Sequence, residues 1–241
     1  MTDRATAAAV GVLFLVGTAA GGIGLALQES VVGKDDYLAA AAAHPDRLAT
    51  GVLLELVMGL AVVAIAVVIY PVLRRASERL AMAYVVARTV EAVIYILSGA
   101  GLLALITLGE KSAAARDGTT YSAVGELVNA ERDWAGNAIL DGVVFTVGAL
   151  ILNYALFRAH LVPGWLSVWG LLGAVAYLAS GVLVLYGLEV MSSPQVALEA
   201  PLALQELALG LWLILRGFTA PRAAPTVVDR SLRRPVSHAA A

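Results

Sequence analysis

Five ionisable residues stand inside long apolar runs of this sequence: Glu55, Arg88, Glu91, Asp141 and Glu206. A charge at the centre of a bilayer costs about 2.5–3.5 kcal/mol on insertion scales, so each needs a partner, water or a proton. Arg88 and Glu91 lie three residues apart within ARTVEAVIY. They share one helix face, which Tyr84, Tyr95 and Ser98 extend. Hydrocarbon cannot solvate that stripe, so it must turn into the protein. An ion pair there can be purely structural and set helix register. It can also polarise a bound group or relay protons. Glu55, Asp141 and Glu206 each fall about two turns below the start of an apolar run. Asn137 lies one turn above Asp141, and Gln205 precedes Glu206. If the three faces converge, they make a carboxylate cluster, and close carboxylates in a low dielectric cannot all ionise. A carboxyl that keeps its proton is what a general acid or a proton carrier requires. Separate hydrogen bonds to neighbouring helices are the plainer alternative for each acid.

Other chemistries are excluded by what the chain lacks. It has no cysteine, so disulfides, thiolate catalysis and cysteine-based metal sites are ruled out. Three histidines argue against a histidine-rich metal site. No HExxH, GxSxG, Walker or dinucleotide pattern occurs, and no cofactor is expected. A net charge of −2 gives no basic field for nucleic acid. Tyr154, Trp169, Tyr177 and Trp212 could line a pocket, although aromatic residues at helical spacing are more often core.

The elements that must position these residues are membrane helices. The chain is 60% hydrophobic and 14% charged, with a mean hydropathy of +0.84, outside the range of soluble domains. Apolar runs near the length that crosses a bilayer recur, at about 8–27, 49–71, 81–107, 135–157, 163–188 and 199–216. Backbone polar groups in lipid must be satisfied internally, and runs of this length are helices. The N-terminal run has too long an apolar stretch for a signal peptide and reads as the first span. The sequence thus predicts an all-α, polytopic bundle of six transmembrane helices over residues 1–218, with a disordered, basic cytoplasmic tail at 219–241. Arg74, Arg75, Arg79, Arg158 and the arginines from Arg216 onward fall on one side, and acids dominate the other. The positive-inside rule then places both termini in the cytoplasm, with the protein in the inner membrane. Two loops on the far side carry structure. KDDYLAAAAAHPD reads as a short helix, and SAVGELVNAERDWAGNAI as an amphipathic helix feeding the fourth span. Trp134, Trp165 and Tyr186 sit at interface positions. Gly17 and Gly21 have the spacing that lets two helices pack closely.

Three blocks carry a resemblance: YPVLRRASERLAMAYVVARTVEAV, YALFRAHLVPGWLSVWGLLGA and LQELALGLWLILRGF. With Tyr70-Pro71, Arg88/Glu91, Leu161–Trp169, and Glu206 with Trp212 in this order, the chain resembles the bacterial membrane family DUF4386, a domain of unknown function. The resemblance runs from the first span to the end of the sixth. It implies a six-helix fold and that Arg88, Glu91 and Glu206 belong to the family pattern. It implies no chemistry.

The inventory of buried acids and aromatic residues, without metal or thiol, is compatible with an intramembrane acid–base enzyme. Such an enzyme, of cyclase or isomerase type, would act on an apolar lipid or isoprenoid-like molecule. Glu55, Asp141, Glu206 and Glu91 are the candidate catalytic acids. Arg88, Tyr95, Asn137, Gln205 and Trp212 are the candidates for binding and orienting. The partners expected are the bilayer and an apolar small molecule. A proton-coupled transporter, which at this size would work as a homo-oligomer, and a non-catalytic membrane subunit or sensor are the rival readings. Against transport, the sequence shows no inverted repeat and no pair of broken helices.

Overall fold

A computed structural model of the chain describes residues 3–115 and 118–219, apart from the side chains of Asn137, Ala138, Leu140 and Asp141. The sites expected at Asn137 and Asp141, and the tail from residue 220 onward, lie outside this description. The described residues are helical, without strands: α1 (Asp3–Val32), α2 (Tyr37–Ala43), α3 (Pro45–Leu73), α4 (Glu78–Ala114), α5 (Thr119–Arg132), a π-helical segment (Asp133–Phe145), α6 (Thr146–Arg158), α7 (Gly164–Leu185) and α8 (Ser193–Leu215).

Local chemistry sets these boundaries. Pro45 opens α3 at a position where its missing N–H is not needed. Ser77 caps α4, its hydroxyl accepting from the Leu80 N–H at 3.3 Å, with Glu78 in the first turn. Gly187 takes a left-handed φ of 100° just after α7, where a side chain would be strained. The alanine-rich loop forms α2, and the amphipathic loop forms α5.

Five helices are long and apolar enough to cross a membrane: α1, α3, α4, α7 and α8. The chain is a multi-pass membrane protein by this criterion. The fourth expected span is not one continuous α-helix. It is the π segment running into the 13-residue α6. Gly136 and Gly142, both weak helix formers, lie in the wide-turned part. Gly142 also packs directly on Gly181 of α7, where any side chain would collide.

The rods pack as a closed ring in the order α1, α3, α4, π–α6, α7, α8 and back to α1. Arg4 donates to the carbonyls of Ile214 at 2.7 Å and Leu215 at 3.1 Å, so both ends of the described chain lie at one end of the ring. Asp3 and Arg75 pair there as well, at 2.8 Å. The half of the ring nearest the termini is filled by apolar side chains, among them Val10, Ile69, Tyr84, Leu156, Leu166 and Leu213. At the far end, α2 packs on α1, α3 and α4 through Leu38, Ala41, Val31, Leu48 and Leu105. Between these two cores the ring encloses a cavity.

Glycines fix how the walls meet. Gly11 on α1 approaches the Gly210 carbonyl on α8 so closely that a Cβ would lie 2.5 Å from its oxygen. Gly17 and Gly21 face Ala61 and Met58 on α3, which is the close packing that their spacing predicts.

Candidate functional site

The cavity has a volume of about 380 Å³, within the range of small-molecule sites. Its walls come from α1, α3, α4, the last residue of α5, the π segment, α7 and α8. Most of the lining is apolar, including Leu13, Phe14, Met58, Val62 and Ile65. Its polar side chains include Gln28, Glu55, Arg88, Glu91, Ser98, Arg132 and Glu206. Gly22 and Leu25 on α1 and Ala203 on α8 line it and are themselves exposed. The cavity therefore reaches the apolar flank of the bundle between the far halves of α1 and α8. The same two helices are in close contact nearer the termini, at Gly11 and Gly210.

Arg88 forms the cavity floor. Its side chain is 1% exposed, and α4 aims it across the ring at Gly148 of α6 and Glu206 of α8. Nη1 donates to Glu91 Oε2 at 2.7 Å, and Nε donates to the Tyr84 hydroxyl at 3.2 Å. Nη2 stands 3.7 Å from Glu206 Oε1. The guanidinium also lies over the rings of Tyr84 and Phe145, 5.2 and 5.3 Å from their centroids. One guanidinium thus faces two carboxylates, and they are held unequally. Glu91 takes a short charged hydrogen bond, whereas Glu206 sits beyond hydrogen-bond reach. Glu91 Oε1 is buried and has no hydrogen-bond partner among the described residues. In a low dielectric the second carboxylate must be balanced by a proton or by a cation from outside the protein.

Glu55 occupies another level of the same cavity. Gln28 donates to its Oε2 at 2.9 Å. A Cβ on Gly99 would stand 3.9 Å from that oxygen, so Glu55 is level with Gly99 of α4. Arg88 is eleven residues away on that helix, about 16 Å along its axis. Glu55 and Glu206 share a cavity but not a depth, which corrects the expectation of one carboxylate cluster. Equal offsets from the start of an apolar run convert to equal depth only if the helices start level and tilt alike. Glu206 lies thirteen residues into α8, and Glu55 ten residues into α3.

At the far end, Arg132 closes the polar part of the wall. It pairs with Glu29 of α1 and stands 3.8 Å from Asp133. Tyr95 and Tyr177 also line the cavity, and Tyr177 meets Phe145 edge to face at 5.1 Å.

The structure separates the residues selected from the sequence. Glu55, Glu91, Glu206, Arg88 and Tyr95 line one cavity. Gln205 and Trp212 do not. Gln205 points from α8 the other way and donates to Asn153 Oδ1 at 3.0 Å and the Leu166 carbonyl at 3.2 Å, tying α8 to α6 and α7. Residues 205 and 206 are about 100° apart around the helix, and here they face different neighbours. Trp212 packs against the apolar core near the termini. Gln28, Arg132 and Phe145 were missed. Gln28 closes an otherwise apolar run, and that lone amide was the available signal. Arg132 reads as one loop charge among many. Among the described residues, no group of histidines and acids is placed to hold a metal ion.

The family model for a domain of unknown function, DUF4386, matches residues 9–217. The chain belongs to this family. The match covers every wall of the cavity, from α1 to α8. Among curated proteins and solved structures nothing matches the chain.

Proposed function

We propose that this protein is an intramembrane acid–base enzyme that moves a proton on a lipid-soluble small molecule, with Glu206 as the acid. The observation that carries the reading is the floor of the cavity. There Arg88 is committed to Glu91 at 2.7 Å while Glu206 waits at 3.7 Å, facing a space open to the bilayer flank. The second carboxyl can hold a proton, give it to a substrate carbon or heteroatom and take it back. Arg88 and Glu91 are positioning residues that fix where Glu206 stands. The lateral opening suits a substrate dissolved in lipid. The reading adopts six spans, both termini cytoplasmic and an inner-membrane location, which places the cavity in the outer half of the bilayer.

The test uses the full chain in nanodiscs, incubated in deuterated buffer with the lipid extract of the expressing cells. Protonation at carbon leaves solvent deuterium in the product, so mass spectrometry should find a lipid that gains deuterium with the wild type and not with E206Q. Absence of any such species, or equal labelling by E206Q, overturns the reading.

A further inference from the structure

The lining of the cavity has a surplus of negative charge and of hydrogen-bond acceptors. Glu55, Glu91 and Glu206 line it against Arg88 and Arg132, and Arg132 is already engaged by Glu29 and Asp133. Both polar levels end in carboxylate oxygens. At the floor, Glu91 Oε1 is buried in the wall without a donor among the described residues, although its residue is only 1% exposed. At the upper level, Glu55 accepts from Gln28 and borders open space beside the small residues Gly99 and Ser98. A buried acceptor without a donor is destabilising, and a ligand that supplies a donor offsets that. An anionic ligand would meet repulsion at Glu55, and a neutral hydrocarbon would leave that carboxylate without a cation. A positively charged donor with an apolar body pairs with Glu55 and lays its chain on the apolar wall of the cavity. Between the two levels the surface is hydrocarbon and ring, as at Met58, Val62 and Tyr95.

We infer that the cavity takes a lipophilic amine, its ammonium on the Glu55 carboxylate and its chain running along α1 and α4 toward Glu91 and Glu206. The inference rests on the reading that the cavity holds the substrate, and it names that substrate's class. The bilayer flank between α1 and α8 is the route in, because a long-chain amine partitions into lipid before it reaches the protein.

The probes are dodecylamine, dodecanol and dodecanoate, titrated against the full chain in nanodiscs of zwitterionic lipid, with empty nanodiscs as background. Native mass spectrometry reads the bound fraction. Dodecylamine should bind about tenfold more tightly than dodecanol, a difference of about 1.4 kcal/mol, and dodecanoate should bind more weakly than either. E55Q should bring amine and alcohol to within about twofold of each other. Should E55Q fail to fold, a photoactivatable dodecylamine on the wild type decides the matter. Crosslinks to the cavity faces of α1, α3 and α4 support the inference, and crosslinks confined to lipid-facing positions overturn it. Equal binding of amine and alcohol by the wild type, or a preference that survives E55Q, also overturns it. Amine selectivity without deuterium transfer leaves this inference standing and sinks only the acid–base reading. Deuterium transfer by a protein with no amine selectivity does the reverse.

Discussion

Replacing Arg88 with leucine removes the guanidinium from between two carboxylates and leaves both in a low dielectric. The structure sets the scale of the loss. Arg88 gives up a 2.7 Å charged hydrogen bond to Glu91, a 3.2 Å bond to Tyr84, the attraction of Glu206 and two ring contacts, all at 1% exposure. Breaking a buried pair by deleting one partner costs about 3–5 kcal/mol, because the remaining charge has nowhere to go. R88L should fall at the upper part of that range, since two acids are stranded rather than one. R88L/E91L removes one of them and should recover part of the loss. R88L/E91L/E206L removes both and should return to within about 2 kcal/mol of wild type, as buried triads replaced by apolar residues do. The assay is reversible unfolding in mixed micelles, followed by tryptophan fluorescence, with the four proteins compared at one detergent composition. Two results would refute the reasoning: an R88L loss below about 1 kcal/mol, which is the behaviour of a solvated pair, or a triple variant no more stable than R88L.

Three further outcomes follow from the same geometry. E206Q keeps the shape of the side chain and removes the transferable proton, so turnover should fall by about 10²–10⁴-fold with little change in unfolding, and equal losses in both would mark Glu206 as structural. A reporter fused after Phe218 should be active only as a cytoplasmic protein does; extracytoplasmic activity would invert the orientation and put the cavity in the inner half of the bilayer. G11A should destabilise by about 1–3 kcal/mol, because its methyl meets the Gly210 carbonyl and Ile214. G22A, with nothing within 4 Å, should be neutral or stabilising by up to about 1 kcal/mol, and the two are compared in the same unfolding assay.

The local signals were legible without coordinates. Hydropathy is a property of contiguous residues, so the apolar helices, the membrane class and the two loop helices follow from composition and period. Arg88 and Glu91 pair through i,i+3 geometry on one helix, which no neighbour has to supply. Their burial follows because a charged stripe cannot face hydrocarbon. The family blocks were also legible, since they are runs of residues. The π segment was not: its sequence is as apolar as its neighbours, and only the contact of Gly142 with Gly181 marks it.

What joins the site together depends on rotations and offsets that a sequence does not carry. Gln205 and Glu206 are neighbours, yet one locks α8 to α6 and α7 and the other enters the cavity. The turn of α8 about its axis separates them, and packing against its ring neighbours α7 and α1 sets that turn. Glu55 and Glu206 looked level when measured from the ends of their runs, but the packed helices put Glu206 beside Arg88 and Glu55 beside Gln28. Gln28 and Arg132 entered the wall because α1 and α5 happen to end there. Chain-local energies decide which residues are helical and which must be hidden, but the choice of partner inside the ring is made by how the rods tilt and fit, through contacts between residues far apart in the sequence.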